Sequence, residues 1–217
     1  NVLGKENCEI IFATNDKALR CYGWYDSFLD KLAHKVVNQP VFTMKTLFSD
    51  GMPYHRFIFG DDSNIVYLYQ YADDRLHERD KVETNGSISL VTSGHITMSR
   101  HEEVISVSDS RHISLFDFTK KPKRLLARIR APGDITSIRV AQLLKDARSP
   151  GQILSCQGNS VIAILSFEGR QLFQEATLRV APKAIESLVC CGDIDGDGAL
   201  EIVQSTGNVV HLIAVDE

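Results

Sequence analysis

The chain has 217 residues, 43% of them hydrophobic, with a formal net charge of -4 at neutral pH and a pI near 6.0. That is enough apolar material for a real core in one or two domains, and the acidic balance argues against a general nucleic-acid binder. No apolar run approaches the roughly 18 to 20 residues of a membrane span. The five cysteines (Cys8, Cys21, Cys156, Cys190 and Cys191) are odd in number and lack Cys-x-x-Cys spacing, which fits a reduced, cytoplasmic setting.

Read from the N-terminus, one unit recurs: an apolar run, a polar turn and a second apolar run. It covers Glu9 to Tyr22, Arg56 to Tyr69, Glu103 to Phe116, Gln152 to Ile164 and Glu201 to Val215. The first residues after the turns are Ile65, Ile113, Val161 and Val209, each 48 residues from the last, with Ala18 lying 47 before Ile65. A period of 40 to 50 residues is the signature of propeller blades.

The rest of each period repeats as well. Ahead of each hairpin lies another strand-like run, at Val41 to Phe48, Ile88 to Val91, Ile135 to Leu144 and Ile185 to Cys191. Behind it comes a more charged run, at Lys31 to Val37, Leu76 to Val82, Arg124 to Ile129 and Gln171 to Val180. Charge on the last strand suits an outer edge, where it discourages pairing with other chains. Pro40, Pro132 and Pro182 stand just before a first strand, where linkers belong.

The pattern therefore predicts an all-β chain with almost no helix, a β-propeller of four-stranded antiparallel blades with a repeat of about 48 residues. The expected divisions are a partial blade 1–39, blades 40–84, 86–131 and 133–182, and a partial blade 183–217, one propeller domain cut from a larger ring. Ile11, Ile58, Val104, Ile153 and Ile202 are the expected inward-facing residues.

Motifs for catalysis are missing from the sequence: no Gly-x-Ser-x-Gly, no His-Glu-x-x-His, no phosphate-binding loop and no dinucleotide fingerprint. The expectation is a non-enzyme. Six basic residues fall within Lys120 to Arg130. Such a run is more often a solvated loop entering an outer strand than a patch for an acidic protein or anionic membrane. The aromatic group Tyr22, Trp24, Tyr25 and Phe28 reads as blade packing.

The one place with metal chemistry is the loop after the last first-strand run. Asp193, Asp195 and Asp197 alternate there, Gly196 and Gly198 allow a tight turn, and Glu201 follows. With the carbonyl of Ala199 these residues form a candidate calcium site, since a hard cation needs several oxygens at close range. The competing reading, which we favour for a cytosolic chain, is a metal-free turn in which the aspartates cap their own backbone.

Gly192 to Val203 resembles the FG-GAP motif of integrin-alpha-type propellers, Asp-x-Asp-x-Asp-Gly-x-x-(Asp/Glu). The wider chain resembles the kaptin-like propellers of the KICSTOR complex. Glu9 to Asn15 with Leu19 to Tyr22, Phe57 to Tyr69, and Ile185 to Val189 leading into the acidic loop carry that likeness. The resemblance implies a cytosolic scaffold among other protein subunits, recruited to lysosomal membranes in nutrient (TOR) signalling, with actin as a further partner. It also implies a ring of about seven blades. Calcium-dependent integrin-like adhesion modules and ciliary coat-complex propellers share the blade pattern and are the alternatives.

Overall fold

The computed structural model describes residues 9–25, 28–47, 56–119, 124–143, 150–158, 161–179, 187–206 and 208–214. Every regular element among them is a strand. The strands are β1 (Glu9–Thr14), β2 (Ala18–Tyr25), β3 (Phe28–Val36), β4 (Val41–Leu47), β5 (Arg56–Asp61), β6 (Ile65–Ala72), β7 (Arg75–Glu83), β8 (Ile88–Gly94) and β9 (Glu103–Ser108). They continue with β10 (His112–Asp117), β11 (Arg124–Arg130), β12 (Ile135–Ala141), β13 (Gln152–Gln157), β14 (Val161–Glu168), β15 (Gln171–Arg179), β16 (Ser187–Gly192), β17 (Glu201–Thr206) and β18 (Val209–Ile213).

Consecutive strands pair antiparallel into five sheets: β1–β3, β4–β7, β8–β11, β12–β15 and β16–β18. These are propeller blades, three with four strands and two with three described strands. The chain forms two compact units, Asn1–Val91 and Thr92–Glu217, with the division inside β8.

Pairing corrects the sequence register by one residue at the third hairpin. Ala18, Ile65, His112 and Val161 pair with Val36, Glu83, Arg130 and Arg179 respectively, so His112, not Ile113, opens its strand. The true spacing is 47, 47 and 49 residues, followed by 48 to Val209. A backbone bond marks the same register: Val37 N donates to Lys17 O at 2.8 Å, Thr84 N to Asn64 O at 2.7 Å and Ala131 N to Arg111 O at 2.8 Å.

In the first unit the core is aromatic. Phe57 and Phe59 of β5 meet Tyr67 and Tyr69 of β6, with Phe59 and Tyr67 stacked at 4.9 Å, and Leu19 and Cys21 of β2 close the cluster. Gly60 is needed there because a Cβ would come 2.2 Å from Ile88 Cγ2. In the second unit the core is aliphatic, joining Leu154, Cys156 and Ile162 to Ala141, Val189 and Ile202. Each fully buried aliphatic side chain of this kind contributes about 1.5–3 kcal/mol.

Hydroxyl side chains tie neighbouring sheets at one recurring position. Thr43 Oγ1 accepts Val91 N at 3.0 Å, and Ser137 Oγ accepts Val189 N at 3.3 Å. Both hydroxyls sit beside a bulge in the pairing of the first two strands of a blade. Thr136, within the second bulge, donates to Ser187 O at 2.7 Å.

Of the expected inward-facing residues, Ile58, Val104, Ile153 and Ile202 are fully buried, and Ile11 is half-buried on a strand that ends its three-stranded sheet. The aromatic group behaves differently from expectation. Tyr22 stacks on Phe12, but Trp24 and Phe28 are exposed because they lie at the tip of the β2–β3 hairpin, and the Tyr25 side chain lies outside the described residues. Exposure also marks β18: Val210 is 69% exposed, whereas Ile162, its counterpart beneath a fourth strand, is 0%.

Candidate functional site

Within the second unit, β12 and β16 run side by side in the same sense, since Thr136 meets Ser187 and Ala141 packs in one cluster with Cys191 and Leu200. The end of β8 meets the end of β12, where Gly151 N donates to His95 O at 2.7 Å. The connections from first to second strand of these three blades therefore leave one end of the unit. That end holds both the acidic loop and a cleft.

The acidic loop is built on its own side chains. Asp193 accepts two backbone N–H groups, from Gly196 at 2.8 Å and Gly198 at 3.1 Å. Asp195 accepts Asp197 N at 3.1 Å, and Asp197 accepts Ala199 N at 2.7 Å. Gly196 and Gly198 sit at φ of 80° and 86°, a region where a Cβ is strained. Glu201 is buried, and its carboxylate faces inward to accept Ile194 N at 2.7 Å.

Oxygens of Asp193, Asp195 and Asp197 lie within 4.8 Å of one another, all exposed. That spread matches ligands around an ion with bonds of about 2.4 Å, so these three carboxylates fit the hard-oxygen chemistry of calcium. Glu201 stands apart from them in role: its described bond holds the loop. The structure thus brings together three of the five sequence candidates, gives Glu201 a clamping contact, and shows Ala199 through its N–H alone.

A second loop has the same frame. Gly94, Ile96 and Glu103 precede Gly192, Ile194 and Glu201 by 98 residues each, two blades earlier. Glu103, also buried, accepts Ile96 N at 2.9 Å, Thr97 N at 3.1 Å and the Ser99 hydroxyl at 2.7 Å, and is bonded by the Thr97 hydroxyl. His95, Thr97 and Ser99 stand where Asp193, Asp195 and Asp197 stand in the later loop. Between them, Gln152 Oε1 plays the clamping part by accepting Leu143 N at 3.1 Å. Sequence reasoning sought repeated aspartates and so missed this frame; the signal was the spacing Gly-x-Ile followed seven residues later by Glu.

The cleft beside the Glu103-held loop has a volume of about 580 Å3. Ser93, His95, Met98, Ser99 and Glu102 form one wall. Val140, Ala141 and Pro150 form the other. Gly94 and Gly151 allow the walls to close up, since Cβ atoms there would fall 2.4 Å from Val140 Cγ1 and 2.7 Å from His95 O. Ser93 donates its hydroxyl to Glu102 Oε2 at 2.9 Å.

The basic run enters β11, an outer strand, as expected; residues 120–123 lie outside the described residues. No helix among the described residues is long and apolar enough to cross a membrane.

No protein-family model matches the chain, and no curated protein matches it. Among solved structures, a chain of the crystal structure of the mitotic checkpoint complex is similar over 96% of this sequence, with a TM-score of 0.69 and 11% identity. The present chain spans 59% of that one. At such identity the likeness is one of fold, and the fold is a β-propeller.

Proposed function

We propose that the chain is a non-catalytic protein-interaction scaffold, a propeller subunit of a multiprotein complex. The observation that carries this reading is the blade architecture, shared with a chain found in an assembled complex. Propellers present clustered loops on a rigid sheet framework, and such loops suit recognition. The sequence likeness to kaptin-like propellers supports a finer reading. In it the protein is a cytoplasmic component recruited to lysosomes in nutrient (TOR) signalling, with actin as a further partner.

One observation favours a second reading, a calcium-dependent adhesion propeller: the three exposed carboxylates grouped within 4.8 Å. Affinity purification of the full-length protein, in calcium and in chelator, separates the two. The scaffold reading expects the same stoichiometric intracellular partners in both buffers. Recovery of partners in calcium alone, all of them extracellular, overturns it in favour of adhesion, and recovery of no stoichiometric partner overturns both.

A further inference from the structure

We propose that one structural water is bound between two blades of the second unit, held by the Ser155 hydroxyl and the Gln157 side-chain amide. Both residues belong to β13 and, being two apart, point to the same side of their sheet. Ala163, the β14 partner of Ser155, shares that side, as does Leu165 two residues on. These four side chains line one wall of a cavity of about 20 Å3, and Ile113 of β10 and Ala131, which follows β11, lie on the other. Size limits the occupant. A water needs about 10–15 Å3 of such space, so the cavity admits one water and no larger ligand.

Polarity selects water. Ser155 is 0% exposed and Gln157 1%, and neither Ser155 Oγ nor Gln157 Oε1 has a hydrogen-bond partner in the protein. Two buried polar atoms left unbonded are costly, and the side chains of Ile113, Ala163 and Leu165 offer neither donor nor acceptor. A water satisfies both at once: it donates to Gln157 Oε1 and shares a second bond with the hydroxyl, which can give or accept a proton. Turning the amide over would exchange an acceptor for a donor, and water serves either. The next blade shows what fills the corresponding gap without water. Gln204 is the fourth residue of β17, as Ser155 is of β13, and its longer side chain reaches across to Cys156, with Nε2 donating to Sγ at 3.3 Å. Ser155 is too short for such a reach, and the space it leaves is lined with polar atoms.

The test is a high-resolution crystal structure of the full chain, paired with oxygen-17 relaxation dispersion, which counts long-lived buried waters in solution. The crystal should show one water peak in this cavity, within hydrogen-bond distance of Ser155 Oγ and of the Gln157 amide. In solution the count should fall by one in Gln157→Leu, which removes both polar atoms of the amide, and by one in Ser155→Ala. Because the readout is a difference from the unaltered chain, waters buried elsewhere cancel. The crystal structure needs no variant, so it decides the matter even where a substitution prevents folding. An empty cavity, a peak bonded to only one of the two side chains, protein partners for both, or an unchanged count in both folded variants would overturn the proposal. None of those results bears on the scaffold reading, which has its own purification test.

Discussion

Glu201 reaches back seven residues to accept the backbone N–H of Ile194 at 2.7 Å, and this bond fixes the start of the acidic loop. Glu103 does the same for Ile96, with three further donors. Removing a buried charged acceptor strands each of its donors. Glu103→Ala is therefore expected to cost about 3 kcal/mol, and Glu201→Ala about 1.5 kcal/mol, by the usual worth of hydrogen bonds to charged groups. Urea denaturation measures both, and equal losses would show that the extra donors at Glu103 contribute nothing.

Close packing at the ends of first strands gives a second expectation. A Cβ at Gly94 would lie 2.4 Å from Val140 Cγ1. Gly94→Ala should destabilise by about 1–3 kcal/mol, the range for overpacked sites. Val140→Ala removes the opposing methyl groups, so the double variant should be more stable than Gly94→Ala alone. A double variant less stable than either single one would rule out the steric account.

The blades were legible in the sequence because each carries the same succession of apolar runs and turns, and apolar faces must be buried wherever the blade sits. Register was harder. Ile113 looked like the counterpart of Ile65, but pairing places His112 there, since hydrophobicity cannot mark the first residue of a strand whose opening position is only half-buried. The acidic loop was visible because aspartates at alternate positions are conspicuous. The cleft was not, because its described walls come from Ser93 to Glu102 on one side and from Val140, Ala141, Pro150 and Gly151 on the other, residues far apart in sequence that only the folded blades bring together. Trp24 and Phe28 misled for a related reason: aromatic residues at a hairpin tip extend past the sheet that would cover them.

Tyr69 should make stability sensitive to alkali. Its side chain is buried and its hydroxyl donates to Glu78 Oε2 at 3.4 Å. Burial first, then the Glu78 carboxylate, pushes its hydroxyl up from 10.0 to about 12. The unfolded chain thus releases this proton first. Stability owed to the neutral tyrosine is complete below pH 10 and is lost as pH rises toward 12. Tyr69→Phe should flatten that part of the stability profile in urea titrations at successive pH values, and an unchanged slope would contradict the assignment.

Thiol reactivity should differ sharply between neighbours in β16. Cys190 is exposed, while Cys191 is half-buried and its thiol is pushed up to about 12, by burial first and then by Cys190. Reactivity follows the thiolate, so Cys191 should be inert at pH 8. In a Cys8→Ser background, native protein should react with DTNB rapidly at Cys190 alone, with Cys21, Cys156 and Cys191 following only in denaturant. Rapid modification of Cys191 in the native state would refute this.

The acidic loop offers the last expectation. Three carboxylates at close range repel one another unless donors or a cation offset the charge. Here donors are in place: four backbone N–H groups fall on Asp193, Asp195 and Asp197, and Glu201 holds a fifth. The Gly94–Glu103 loop has the same frame with His95, Thr97 and Ser99 in place of the aspartates, so the frame closes without carboxylates at those positions. We therefore expect chelator to leave the melting temperature unchanged. Asp193→Ala, which strands two N–H groups, should cost about 1–2 kcal/mol, more than Asp195→Ala, which strands one. Gly198→Val should also exceed Asp195→Ala, because φ of 86° is strained for a β-branched residue by about 1–3 kcal/mol. A fall in melting temperature on adding chelator, reversed by micromolar calcium and absent in Asp195→Ala, would instead assign these carboxylates to a bound ion.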